Sequence, residues 1–455
     1  MHRATLVACL LALAGCQAWA PARLDLPPDP AATQTQSYED VTVSAAILTD
    51  QQSRAHFGAD LARHGLQAVW LSVRNASPWR LRLMRGAVDP DVYSADEAAV
   101  ILRKDVPGKS FEALRQYLRD ESIRILLAPQ TINEGFLLVP RAEGGRYVDV
   151  QLHSPGRLFR FGFALPLPDG DFDYERLDPA RIYDGRTLPE LDAEQLRTAL
   201  EQLPCCAANE TASAEGDPLN VVLVGDAPIA LAALSRSGWS FTHRIDFKTV
   251  RRELGAAIAG SPYPVAPVSP LYALGRKQDF AMQRARSTIS RRNHMRLWLA
   301  PFRFEGRQVW FGQISRDIGV KLTPKSPTLT THVIDPAVDE ARAYLLQSLF
   351  THGVVERYAF VKGAGAAMRS APRLNLTDDP YYSDGMRLVV VLAQHSMVPT
   401  QIGVYNWEEP EGPIAAGQSD DARKPVPIDV TAPRSEVEDS PAGAAPATGA
   451  TPRAP

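Results

Sequence analysis

Two kinds of apolar run divide this chain, and they belong in different kinds of sheet. In the first kind apolar and polar residues alternate. Trp79-Arg80-Leu81-Arg82-Leu83-Met84 sets Arg80 and Arg82 against Leu81 and Leu83, the period of a strand with one buried face and one wet face. The run 67–75 precedes it across the turn Asn75-Ala76-Ser77-Pro78. Similar runs lie at 123–127, 135–139, 147–152 and 158–165, and Phe159, Phe161 and Phe163 share one face of the last. Residues 96–102 and 112–118 read as short helices. Short polar connections between these strands predict a β-sandwich of immunoglobulin-like architecture over 41–168, without the Cys-Trp-Cys set of antibody domains.

The second kind is continuous. Val221-Val222-Leu223-Val224 has no polar interruption, as in a strand buried on both faces. A helix at 227–237, a strand at 239–245 and a helix at 247–259 follow. Next come strands at 294–300 and 308–315, a helix at 336–350, and strands at 355–361 and 386–393. This order predicts an α/β domain over 217–407, so the chain reads as multidomain α+β. A polar connection with one helix, at 192–203, fills 169–216.

The two ends differ from this core. Residues 1–15 carry Arg3 and nine consecutive apolar residues from Leu6 to Ala14. That is shorter than the ~20 residues of a membrane-spanning helix and fits an export signal. Leu13-Ala14-Gly15-Cys16 resembles the lipobox of bacterial lipoproteins, which implies cleavage before Cys16 and acylation of its thiol. An ordinary signal cut after Ala18 or Ala20 is the alternative. Gln17, by the same resemblance, implies a place at the outer membrane, facing the periplasm. Residues 16–40, with Pro21, Pro27, Pro28 and Pro30, read as a flexible stalk. Residues 408–455 hold nine prolines in 48 positions, cannot build a core, and read as a disordered tail.

Charge is informative only locally. The net charge is −3, and residues 16–407 hold 44 bases and 43 acids, which excludes a globally basic nucleic-acid binder. Residues 276–307, however, hold nine bases against two acids, Asp279 and Glu305. Arg276, Arg292 and Arg296 are candidate ligands for a phosphate-bearing lipid or glycan of the envelope. A solvated basic face is the competing reading. On a strand, His294, Arg296 and Trp298 share one face and Met295 and Leu297 the other. Asp317, at the end of the next strand, comes toward His294, and His332 precedes Asp335-Pro336. His294, Asp317 and His332 thus form a candidate catalytic set of base and orienting carboxylate. A buried network around a satisfied core histidine competes with it. Asp335 and Pro336 suit the N-cap and first position of the helix that follows, and Asp339 its opening turns.

No GxGxxG, GxxxxGK[ST] or GxSxG occurs, and no histidine spacing marks a metal site, so no cofactor is expected. Cys205 and Cys206 are adjacent, with Cα atoms about 3.8 Å apart, below the usual span of bridged cysteines. A vicinal bridge, a bond to a partner and two free thiols all remain open.

Several short motifs recur in one order. They are Gly216-Asp217-Pro218-Leu219-Asn220, Gly238-Trp239, Ala266-Pro267-Val268-Ser269-Pro270-Leu271-Tyr272 and Gly275-Arg276-Lys277-Gln278-Asp279. His294-Met295-Arg296-Leu297-Trp298, Trp310-Phe311-Gly312, Arg316-Asp317 and His332-Val333-Ile334-Asp335 complete the set. Together they resemble the LssY-like C-terminal domain of bacterial envelope proteins, a family of unknown activity. The resemblance implies the company of lipoproteins and of membrane proteins with a lipid-phosphatase-like module, which this chain lacks. A ligand-binding envelope protein, a hydrolase of a lipid or glycan ester or phosphate, and a structural partner of other envelope proteins are the three readings.

Overall fold

Strands outweigh helices, in several sheets. The computed structural model describes residues 19–410 except 29–31, 143–145, 166, 168–177, 242–268, 289–290 and 323–329. The export signal, Cys16, the helix expected at 247–259 and the tail beyond 410 lie outside the described residues, as do parts of the stalk and of the strand at 239–245.

The alternating runs build two four-stranded sheets. Their strands are β1 (Gln34–Tyr38), β2 (Val41–Ile47), β3 (Leu66–Asn75), β4 (Leu81–Leu83), β5 (Leu126–Leu127), β6 (Thr131–Pro140), β7 (Arg146–Ser154) and β8 (Arg157–Leu165). One sheet has the order β1-β2-β3-β6 and the other β5-β4-β7-β8, and every pairing is antiparallel. Val43, Leu71 and Val73 of the first sheet share a core with Leu83, Val150 and the Phe159-Phe161-Phe163 stripe of the second. Three helices, α1 (Asp50–Phe57), α2 (Ala95–Ile101) and α3 (Phe111–Glu121), cover the other face of the first sheet through Phe57, Ala98 and Leu118 against Trp70 and Phe136. The sequence reading had no helix at α1. Its signal is the reciprocal cap in which Thr49 Oγ1 accepts from Gln52 N and Gln52 Oε1 accepts from Thr49 N, a Thr-x-x-Gln box.

The continuous run sits at the centre of a ten-stranded sheet. Around it lie β9 (Glu190–Leu191), α4 (Ala193–Glu201), β10 (Cys206–Ala208), β11 (Glu215–Pro218), β12 (Val221–Val224), α5 (Ala227–Arg236), β13 (Ser240–Phe241), β14 (Tyr272–Ala273) and β15 (Arg276–Lys277). Then come β16 (Phe280–Thr288), β17 (Arg291–Phe304), β18 (Arg307–Leu322), β19 (Thr330–Ile334), α6 (Val338–Thr351), β20 (Val355–Lys362), β21 (Arg373–Leu374), β22 (Pro380–Tyr381), β23 (Met386–Leu392) and β24 (Gly403–Val404). The large sheet runs β13-β16-β17-β18-β12-β23-β20-β24, with β19 beside β18 and β9 beside β17. Val221 and Leu223 face α5 and α6 through Leu231 and Leu345. Val222 and Val224 face α4 and the small sheet β11-β10-β14-β15 through Leu200, Ala207 and Leu271. Burial on both faces explains the unbroken apolar run. Helices thus lie on both faces of this sheet, but most of its neighbours are antiparallel, with β12 parallel to β23 and antiparallel to β18.

Strands β17 and β18 run well past their expected ends and form one long hairpin. Glu305 and Gly306 turn it with φ of 51° and 70°, the two positive values of a type I′ turn. Gly312 is required within it, because a Cβ there would collide with the Arg296 carbonyl. The expected N-cap is corrected: α6 begins at Val338, with Ala337 at its cap position. Asp335 instead accepts from Ala337 N at 3.0 Å in a turn before the helix. Asp339 is buried and accepts from Ser383 Oγ and Asp384 N at 2.8 Å each, so it ties α6 to the chain entering β23. All described residues fall in one packed unit, joined where Leu167 borders both the double-sheet core and the core of the large sheet.

Candidate functional site

Period two on β17 sends Met295, Leu297 and Leu299 into the core beneath α5 and α6. It sends Arg292, His294, Arg296 and Trp298 to the opposite face. Register then supplies the neighbours: His294 lies opposite Gln283 on β16 and Ser315 on β18. Asp317 follows two residues after Ser315 on the same strand. His332 arrives on β19, whose partner is the far half of β18.

The expected set His294, Asp317 and His332 comes together. Asp317 Oδ2 contacts His294 Nε2 and lies 3.3 Å from His332 Nδ1, and the two rings stand 5.7 Å apart. Arg292 threads between them. Its Nε is 3.0 Å from His294 Nε2 and 3.4 Å from Asp317 Oδ2, its Nη1 donates to Gln283 Oε1 at 2.9 Å, and its Nη2 is 2.8 Å from His332 Nε2. Arg292 and Asp317 are 1% and 2% exposed, His294 6%. The His332 side chain is 24% exposed, which makes it the solvent-facing member of the four.

Protonation follows from this geometry. Burial raises the Asp317 carboxyl, but His294, His332 and Arg292 outweigh it and hold the group below its ordinary value. Burial and Arg292 push His294 down to about 4 against the pull of Asp317. The pair is therefore a neutral imidazole against a carboxylate. A bare Nε2 would set its lone pair against the ionised carboxylate, whereas Arg292 Nε has Asp317 Oδ2 as an acceptor of its own at 3.4 Å, so Nε2 carries the proton. Nδ1 then holds the lone pair, and among the described residues it is buried without a hydrogen-bond partner. Buried polar atoms without a partner are uncommon in native proteins. Arg292 Nη2 occupies the side of His332 Nε2 that a metal ion would need.

The three expected anion-binding arginines separate. Arg276 pairs with Asp279 at 2.8 Å, donates to Leu299 O at 2.7 Å and lies over the Tyr183 ring. It is spent on structure, and its charge is answered three residues away. Arg296 remains beside the site but donates to Gln313 Oε1 at 3.0 Å and to Ser269 O at 3.1 Å. Only Arg292 joins the histidines. Much of the remaining basic stretch is also answered internally, with Arg307 on Glu356 at 2.7 Å and Arg284 on Ser348 Oγ at 2.9 Å.

Sequence reading missed the polar floor beside Arg296. Gln313 Nε2 donates to Ser315 Oγ at 2.7 Å and to Asp217 Oδ2 at 3.2 Å, and Asn375 Nδ2 donates to Asp217 Oδ1 at 2.9 Å. Burial raises the Asp217 carboxyl, opposed by Asn375 and Arg296. Lys321 on Asp379 at 2.6 Å extends the network. Gln283 and Gln313 could have been found as polar residues in otherwise apolar strands; Asn375 had no local signal.

Searches of the curated proteins and of the solved structures found no match. The family model for the LssY C-terminus matches residues 197–386. That span takes in β12, the hairpin β17–β18, β19 and every member of the histidine cluster, and this part of the chain is an LssY-like C-terminal domain.

Proposed function

We propose that this chain is a lipid-anchored envelope protein, held at the outer membrane through Cys16, that binds a phosphate-bearing lipid or glycan at the Arg292–His294–Asp317–His332 cluster. The single observation that carries the reading is His294 Nδ1, buried without a hydrogen-bond partner among the described residues, on a ring whose other nitrogen meets the Arg292 guanidinium. An anion seated there offsets the charge of Arg292, one of the causes of the low His294 pKa. The imidazole then takes up a proton and becomes a second donor, so binding and protonation support each other. The half-exposed His332 is the entry side. In this reading the double sheet serves as an immunoglobulin-like platform, open to envelope proteins as partners, and nucleic acid is not a ligand.

Asp317 holding the ring of His294 also favours a second reading, a hydrolase in which Nδ1 activates water against an ester or phosphoester. One experiment separates the two. Dimethyl phosphate, a monoanion at every working pH, is titrated into the full chain at pH 7.5 and 5.5, with bis(p-nitrophenyl) phosphate and p-nitrophenyl acyl esters assayed in parallel. Binding that tightens several-fold at pH 5.5 and vanishes in His294→Gln supports the binder. Turnover lost in His294→Gln supports the hydrolase. Neither binding nor turnover refutes both.

A further inference from the structure

A second concentration of reactive groups lies away from the histidine cluster. Cys205 and Cys206 are bridged to each other, with Cα atoms 3.7 Å apart. Antiparallel pairing of β10 with β11 brings Glu215, ten residues away, to this bridge. Cys205 Sγ lies 3.8 Å from Glu215 Oε1 and 3.8 Å from Arg373 Nη1 on β21, and Arg373 also pairs with Glu215. Cys206 Sγ is 3.9 Å from the Tyr381 hydroxyl. The two sulfurs and a Glu215 carboxylate oxygen all lie within 4.8 Å of one another, a spacing that suits ligands of one tetrahedral metal ion.

We propose that Cys205, Cys206 and Glu215 form a redox-gated site for one thiophilic divalent metal ion of the zinc type. In the bridged state the sulfurs are bound to each other and cannot ligate. A dithiol reductant delivers two electrons and two protons to the S–S bond, leaving two thiols here and a disulfide on the reductant. Metal binding then releases two protons, forms two metal–thiolate bonds and draws the Glu215 carboxylate from Arg373, with water completing the tetrahedron. Glu215 is exposed and Cys205 half-buried, so the ion reaches the site without unfolding. Neither the adjacent cysteines nor any histidine spacing announces a third ligand in the sequence; the sheet register supplies it.

The test titrates Zn2+ into the full chain, oxidised or reduced with dithiothreitol that is removed under nitrogen. Cys205→Ser/Cys206→Ser and Glu215→Gln chains are treated alike, and far-UV circular dichroism checks their fold. Expected is one ion per reduced chain, at least a hundredfold weaker uptake by the oxidised chain, and the same loss in the double serine variant. Glu215→Gln, at an exposed position, weakens reduced-state uptake by about tenfold. Uptake that is equal in both redox states, or that survives the double serine variant, overturns the proposal. So does unchanged affinity in Glu215→Gln.

Discussion

Two buried histidines in this molecule each turn Nε2 to a carboxylate and differ in what else meets the ring. His56, on α1, sets Nε2 3.0 Å from Glu121 Oε2, and its Nδ1 accepts from Leu24 N at 3.2 Å. Both ring nitrogens are matched, and Phe57, Tyr117 and Phe136 crowd the ring. His294 likewise turns Nε2 to a carboxylate, but nothing among the described residues meets Nδ1. Burial depresses both histidines, more than offsetting Glu121 at His56 and Asp317 at His294. A histidine–carboxylate pair and a lowered pKa therefore do not mark a functional site. An unmatched Nδ1 on a ring whose Nε2 meets a buried guanidinium is the distinguishing sign.

The largest expected effect is at the carboxylate that serves both histidines of the cluster. Asp317→Ala removes the buried carboxylate that Arg292, His294 and His332 share and is expected to lower unfolding stability by about 3–5 kcal/mol in urea titrations. Glu121→Ala, where the side chain is 15% exposed, should lower it less, and the reverse order would break the contrast.

Next come the two histidines themselves. His56→Gln loses a matched ring on both sides and should cost about 1–3 kcal/mol, while leaving dimethyl phosphate binding intact. His294→Gln should cost less stability and abolish that binding. Acid extends the test. Each folded pKa lies below the ordinary 6.5, so the unfolded chain takes up the proton first. Stability should therefore fall as pH drops from 6.5, for His294 toward about 4, by up to about 3 kcal/mol. Thermal melts across that window should show His294→Gln removing its share of the slope. An unchanged slope would mean that the ring takes up its proton at the same pH folded and unfolded.

The smallest effect is expected at Arg276. Arg276→Gln breaks a half-buried pair with Asp279 and should cost about 1 kcal/mol, with the histidine ring resonances unmoved. A shift in those resonances would tie Arg276 to the site after all.

These contrasts show what sequence could and could not announce. The face of β17 was legible because a period of two fixes which residues point together, whatever the strand packs against. The meeting of His294 with Asp317 needed only a hairpin register. Arg276 was misplaced because a run of bases was read as one surface, although Asp279 three residues on already answered its charge. Asp217, Asn375 and Glu215 reach their partners through the small sheet and the segment 373–379, across distances in sequence that no local pattern spans. The layering of the large sheet followed from the unbroken run at Val221–Val224, but its mostly antiparallel directions depended on long hairpins whose ends the composition blurred. His56 went unremarked because its whole helix did.

The most direct test of the central claim is the nitrogen chemical shift of the His294 ring, read by 15N NMR on uniformly labelled full chain and assigned by comparison with His294→Gln. At pH 7 the ring should be neutral with the proton on Nε2 and a bare Nδ1, and dimethyl phosphate should move Nδ1 toward the protonated shift while His56 stays fixed. A proton already on Nδ1 at pH 7, or a ring that does not respond when the anion binds, would contradict it.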